Sequence, residues 1–115
     1  MSSSVDQLDK SKTIEKTQKC GLCTRKVIEM RRYPHFICED CISECPPINE
    51  NNEPIEFFNI DISGGFRSKA NNVYGNEHIC YIKNIKCYAE EGRYGGIVFT
   101  PFEYLHQNIK NRYLN

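Results

Sequence analysis

Apolar residues are thin at the start of the chain and gather into short runs after it. Up to Gln18, only Met1, Val5, Leu8 and Ile14 interrupt a series of Ser, Lys, Asp, Thr and Gln. So little apolar surface cannot offset the entropy of ordering the segment, and residues 1–18 are expected to form a flexible basic tail. Further on, Ile55-Glu56-Phe57-Phe58-Asn59-Ile60-Asp61-Ile62 is rich in β-branched and aromatic residues and ends in strict alternation before Ser63-Gly64-Gly65. That pattern predicts a strand. The runs His78–Lys83 and Gly96–Thr100 predict two more, with turns at Asn71-Asn72 and Tyr74-Gly75-Asn76. Phe102, Leu105, Ile109 and Tyr113 fall near helical spacing behind Pro101, a residue suited to a first turn, and predict a C-terminal helix.

Between tail and strands the pattern is shorter in range. Thr24 to Arg32 alternates charge with Val27, Ile28 and Met30 and reads as a strand and turn, which Tyr33-Pro34 interrupts because proline donates no hydrogen bond and restricts its predecessor. A hairpin is expected there. Glu39-Asp40-Cys41-Ile42-Ser43-Glu44 places acids in the first turn of a short helix that Pro46-Pro47 stops. Residues 46–54 are Pro, Asn and Glu around a single Ile48, the composition of a linker loop. The expected organisation is a tail (1–18), a metal module (19–45), the linker (46–54) and a small antiparallel β region with a terminal helix (55–115), the last packed with the module as one domain.

Cysteine placement adds the chemistry. Cys20-Gly-Leu-Cys23 and Cys38-Glu-Asp-Cys41 are two CxxC pairs fourteen residues apart. Four thiolates at that spacing close a tetrahedral zinc site and leave no position for a catalytic water. One structural zinc on Cys20, Cys23, Cys38 and Cys41 is the expected cofactor, and for a chain of 115 residues such an ion adds on the order of 10 kcal/mol to folding. Gly21 is expected to let backbone amides turn toward the sulfurs. Seven cysteines in all is an odd number, at metal rather than disulfide spacing, and the N-terminus has Ser2, Ser3, Ser4 and Asp6 where a signal peptide is apolar. A reduced, cytoplasmic or nuclear protein is the expectation, without a membrane span.

Knuckle, hairpin and a short helix carrying the second pair follow the order of a treble-clef zinc finger, and the chain resembles that class or the zinc ribbons. His35-Phe36-Ile37-Cys38-Glu39-Asp40-Cys41-Ile42 is also similar to the central stretch of RING fingers, where a histidine precedes the paired cysteines by three residues. The likeness covers residues 20–42. Tyr33 stands where RING fingers carry a further cysteine, and no later CxxC pair follows, so the second RING zinc lacks its ligands. The resemblance implies a treble-clef-like N-terminal module, and the fold class expected is α+β: that module, a small antiparallel sheet and a C-terminal helix.

Charge decides where a partner would bind. The net charge is zero, yet Lys10 to Arg32 holds eight basic residues against Glu15 and Glu29, while Glu39 to Asp61 holds seven acidic residues and no basic one. A non-enzymatic zinc module contacting nucleic acid or a protein through Arg25, Lys26, Arg31 and Arg32 is the leading reading. A degenerate RING-like ligase or adaptor is a second. A cysteine-dependent enzyme using Cys80 with His78 or His106 is a third. Four further features stand as alternatives to plain packing or turns. Cys45 could replace a ligand. His35, His78, Cys80 and Cys87 could hold a second metal. The Gly64-Gly65 turn with Arg67 and Lys69 could meet an anion. The aromatics Phe57, Phe58, Tyr81, Tyr88, Tyr94 and Phe99 could include a base-stacking surface.

Overall fold

The computed structural model describes residues 16–61, 64–92 and 96–113. Most of the expected tail (1–15), Ser63 and Tyr94 lie outside the described residues. Strand β1 (Thr17–Lys19) pairs antiparallel with β2 (Lys26–Ile28), the CxxC knuckle lying between them. A loop through Tyr33 leads to helix α1 (Glu39–Glu44), which carries Cys41. Strands β3 (Ile55–Asp61), β4 (Gly64–Ala70) and β5 (Val73–Gly75) form one antiparallel sheet, and β6 (Ile79–Ile82), β7 (Ile85–Glu91) and β8 (Ile97–Pro101) another. A single 3-10 turn (Phe102–Tyr104) and helix α2 (Gln107–Asn111) follow.

This architecture overturns the α+β expectation with its treble-clef module and C-terminal helix. The described chain is mostly strand, in three small antiparallel sheets, with two short helices. The C-terminal helix fails at Leu105 and His106, both extended (ψ 157° and 144°). Its apolar spacing is satisfied another way: the Phe102 and Tyr113 rings meet edge to face at 6.0 Å, and Tyr113 meets Tyr88 likewise at 6.0 Å. The expected hairpin is also displaced. It straddles the first CxxC pair instead of filling the gap between the two pairs, with Thr17 and Gln18 in its first strand.

Strand β7 is buried over Cys87, Tyr88 and Ala89 because it is the central strand, and a strand covered on both faces shows no alternation for sequence reading to find. Strand β4 does alternate, with Phe66, Ser68 and Ala70 on one face and Arg67 and Lys69 on the other, but it opens on two glycines and reads as a turn. Tyr74 and Gly75, expected in a turn, belong to β5. The expected Asn71-Asn72 turn is present, with φ of 52° and 65°, and Lys83-Asn84 makes the matching turn between β6 and β7 (φ 53° and 66°). Left-handed backbone at both central residues suits a tight hairpin to the right-handed twist of its strands.

The linker is stitched to the fold. Ile48 exchanges backbone hydrogen bonds with Tyr81 at 3.1 and 2.8 Å, and Asn49 Oδ1 accepts from the amides of Asn51 and Glu53. A single apolar cluster then joins the N-terminal module to the sheets: Cys20, Ile37, Cys38 and Cys41 are buried with Ile55, Cys80, Ile82, Cys87, Ala89 and Phe99. The Ile37 amide donates to the Phe99 carbonyl at 2.8 Å, extending the β8 edge toward the second CxxC pair. No helix among the described residues is long and apolar enough to cross a membrane.

Candidate metal centre

The first pair is shaped by a tight turn. Cys20 donates its amide to the Arg25 carbonyl at 2.8 Å and accepts from Thr24 at 3.1 Å, which closes the knuckle and leaves Thr24 left-handed at φ 62°. A β-branched residue there is strained, so the turn is held by what surrounds it. The amides of Leu22 and Cys23 turn toward Cys20 Sγ as expected, and Gly21 has a further task. Its amide donates to the Phe36 carbonyl at 3.1 Å, and a Cβ at this position would lie 2.2 Å from the His35 carbonyl oxygen and 3.0 Å from Pro101 Cδ. Glycine is required here because the two halves of the module touch backbone to backbone.

The second pair is set by α1. Cys38 is its N-cap and Cys41 lies in its first turn, so three residues of helix carry both sulfurs toward the knuckle. The four Sγ atoms of Cys20, Cys23, Cys38 and Cys41 lie within 4.8 Å of one another. The Cys23–Cys38 and Cys20–Cys41 edges are 3.7 and 3.9 Å. A disulfide would need about 2 Å, whereas a tetrahedral site with metal–sulfur bonds of about 2.3 Å has edges of about 3.8 Å. The donor set and its spacing fit a four-thiolate metal ion.

The surroundings favour charged sulfur. Amides of Leu22 and Cys38 donate to Cys20 Sγ at 3.3 Å, and the Arg25 amide donates to Cys23 Sγ at 3.4 Å. Burial pushes the Cys20 thiol up, but the amides of Cys23, Cys38 and Leu22 outweigh it and hold this thiol well below its usual range. Cys41 moves the other way, first through burial, then through hydrogen bonds of its thiol to the Cys23, Cys38 and Cys20 sulfurs, and last through repulsion from Cys20. Two side-chain cations complete the shell. Arg25 Nη1 lies 3.6 Å from Cys38 Sγ and is paired to Asp40, and Lys83 Nζ lies 3.6 Å from Cys41 Sγ and 3.0 Å from Glu44 Oε1. Four thiolates around a divalent ion would leave two net negative charges; Arg25 and Lys83 each place positive charge beside one sulfur while sharing it with a carboxylate, Asp40 and Glu44.

Lys83 had no signal in sequence beyond its place in a short run before an asparagine. Its role follows from the β6–β7 turn, which carries it across to the metal module. Arg25, Lys26, Arg31 and Arg32 are all exposed, and Arg25 in addition reaches the sulfurs and Asp40. Among the described residues, Arg31 makes one long ion-pair contact, 3.9 Å to Glu29.

The remaining candidates are not drawn into a second site. Among the described residues the four cysteines are the one group of three or more potential ligands that converge. Cys45 is half-buried beside the cluster and outside it. Cys80 and Cys87 are direct cross-strand partners, both fully buried in the core, and burial pushes both thiols up, the opposite of nucleophile activation. The His78 ring is stacked between Phe66 (4.3 Å) and Tyr88 (5.0 Å), with Nδ1 donating to the Ala89 carbonyl at 2.7 Å. His35 stacks on Tyr104 at 4.2 Å, and His106 is exposed ahead of α2. Tyr33, at the position of the missing RING ligand, is buried. At the glycine turn, the Gly65 amide already donates to a carboxylate oxygen of Glu91 at 3.0 Å, so an anion of the chain itself sits there.

No protein-family model, curated protein or solved structure matches the chain.

Proposed function

We propose that this chain is a non-enzymatic module, folded around one structural zinc, that binds nucleic acid through the outer face of the β1–β2 hairpin. The observation that carries the reading is the Lys19–Lys26 pair. The two are direct cross-strand partners and both are exposed. Like charges directly opposite each other destabilise a hairpin, so this pair is explained by an external polyanion more readily than by folding. Between Lys16 and Arg32 the chain holds six cations (Lys16, Lys19, Arg25, Lys26, Arg31, Arg32) against Glu29 alone. With Arg25 turned to the sulfurs, Lys19, Lys26, Arg31 and Arg32 are the residues for phosphate contact.

The zinc reading is supported by the all-thiolate set and by two edges near the tetrahedral value, and a structural role by the closed four-sulfur coordination such a set gives. A ligase-like reading would call for a second metal cluster, and a cysteine-enzyme reading for an accessible thiol near a base; neither arrangement occurs among the described residues.

The test is oligonucleotide binding followed by fluorescence anisotropy across a salt series, with native mass spectrometry counting the metal. One zinc per chain, lost in Cys38→Ser, is expected. Binding should weaken steeply with salt, and the double reversal Lys19→Glu with Lys26→Glu should remove most of it and lower the salt slope by about 2. Salt-independent binding, or none to single- or double-stranded nucleic acid, would sink the reading and redirect the search to an acidic protein partner.

A further inference from the structure

The outer face of the β3–β4–β5 sheet carries a second cluster, unrelated to the metal centre. Its inner face packs on the rest of the protein: Ile55 and Ser68 are buried, and Phe57 meets Phe66 at 5.7 Å and Phe99 at 5.6 Å. Strand alternation then sends Glu56, Phe58 and Ile60 of β3, Arg67 and Lys69 of β4, and Tyr74 of β5 to the opposite side. There Phe58 faces Arg67 and Lys69 faces Tyr74 as direct cross-strand partners. Tyr74 is 55 % exposed and Ile60 56 %.

The arrangement of charge and rings is specific. The Phe58 and Tyr74 rings meet edge to face at 6.0 Å, and both cations converge on the tyrosine, with Lys69 Nζ 5.3 Å and Arg67 Cζ 6.0 Å from the ring centre. Glu56 is the other cross-strand partner of Lys69, yet neither cation lies within 4.0 Å of a carboxylate oxygen among the described side chains. The Cα atoms of Arg67 and Lys69, two residues apart on one strand face, are about 7 Å apart, so the extended side chains can reach successive phosphates of an extended single strand. Exposed cation–π contacts contribute roughly two- to fivefold to an equilibrium and exchange readily. A base stacking on Tyr74 would release both cations to the flanking phosphates.

We propose that this face binds single-stranded nucleic acid, Tyr74 and Phe58 stacking bases while Arg67 and Lys69 hold the backbone. The proposal rests on the nucleic-acid reading above and adds the class of strand. A duplex keeps its bases stacked inside and offers such a ring nothing, whereas every unpaired base has a free π face. The sheet face and the hairpin would then divide the work: the hairpin supplies phosphate affinity to any nucleic acid, and the sheet selects for unpaired bases.

The experiment uses the full, metal-loaded chain and two probes of equal length, a labelled oligothymidine and a duplex. The wild type should bind the single strand more tightly. Tyr74→Ala should weaken single-strand binding roughly ten- to hundredfold and leave the duplex unchanged, while Tyr74→Phe should retain the wild-type preference. Because Tyr74 is exposed on an edge strand, its variants should melt like the wild type. Equal affinity for both probes, or an unchanged single-strand affinity in Tyr74→Ala, would overturn the sheet-face proposal and leave the hairpin reading standing. Wild-type protein that binds neither probe would overturn both.

Discussion

Lys83 Nζ lies 3.6 Å from Cys41 Sγ, although the two residues are forty-two positions apart in the chain. Lys83 is at the tip of the β6–β7 hairpin and in left-handed backbone, φ 53°, a conformation that asparagine or glycine adopts at less cost. It also holds Glu44 of α1, whose carboxyl the lysine keeps below its usual range. A residue that is locally unfavourable and globally well placed indicates that its charge matters at the metal centre more than its turn propensity does.

Lys83→Asn separates these two roles. The turn should relax or stay neutral, so stability with metal bound should fall by no more than the roughly 1.4 kcal/mol that tenfold weaker metal binding carries. Loss of the cation should weaken metal retention roughly tenfold, the lower end of the range for outer-shell partners. Transfer of metal to a chromophoric chelator measures this. Unaltered transfer would mean that Arg25 and the backbone amides neutralise the sulfurs without Lys83.

Gly21→Ala should be destabilising for a reason unrelated to backbone freedom. The new methyl would sit 2.2 Å from the His35 carbonyl oxygen, where neither partner is a flexible side chain. Separating the knuckle from the His35–Phe36 segment would also stretch the Gly21–Phe36 hydrogen bond of 3.1 Å. A loss of about 2–3 kcal/mol in denaturant unfolding is expected. A neutral substitution would show that the two segments can part without harm to the metal module.

The Cys80–Cys87 pair imposes an alkaline limit on stability. Burial raises both thiols, Cys87 to about 12 and Cys80 further with the help of Cys87. In the unfolded chain such thiols ionise near 8.5, so their contribution is fully present below that value. It should decline as pH rises from about 9 toward 12, by at most about 1.4 kcal/mol per pH unit for each thiol. Unfolding free energies at pH 8 and pH 10.5 for the wild type and Cys87→Ala test this, because the variant should lose less between the two. Identical pH dependence would show that Cys87 ionises as readily in the folded protein as in the unfolded chain.

How much could be read in advance differs from element to element. Helix α1, its acidic first turn and its end before Pro46-Pro47 rest on neighbours within a few residues, and all appear as expected. The Asn71-Asn72 turn was legible for the same reason. Strand β7 was hidden because Cys87, Tyr88 and Ala89 are covered on both faces, and β4 because its glycines and charges resemble a turn when nothing indicates that one side faces solvent. Phe102, Leu105, Ile109 and Tyr113 misled because their spacing fits a helix as well as it fits an aromatic cluster with Tyr88. The contact of Arg25 with Cys38 Sγ was not legible because a basic residue beside a thiolate pair has the same signature as one on a free surface.

The sequence by itself determined the four candidate ligands and the shape of each pair: each CxxC holds its own two thiols close through a turn of three residues, and local geometry of that kind survives translation into structure. Only the tertiary structure decided what those ligands meet. It placed Lys83 on Cys41, His35 against Gly21, and the core of three sheets where a helical module was expected. The physical reason is that sulfur–amide turns are short-range and encoded in spacing, whereas charge compensation, strand pairing and close backbone packing depend on which distant segments share one small core.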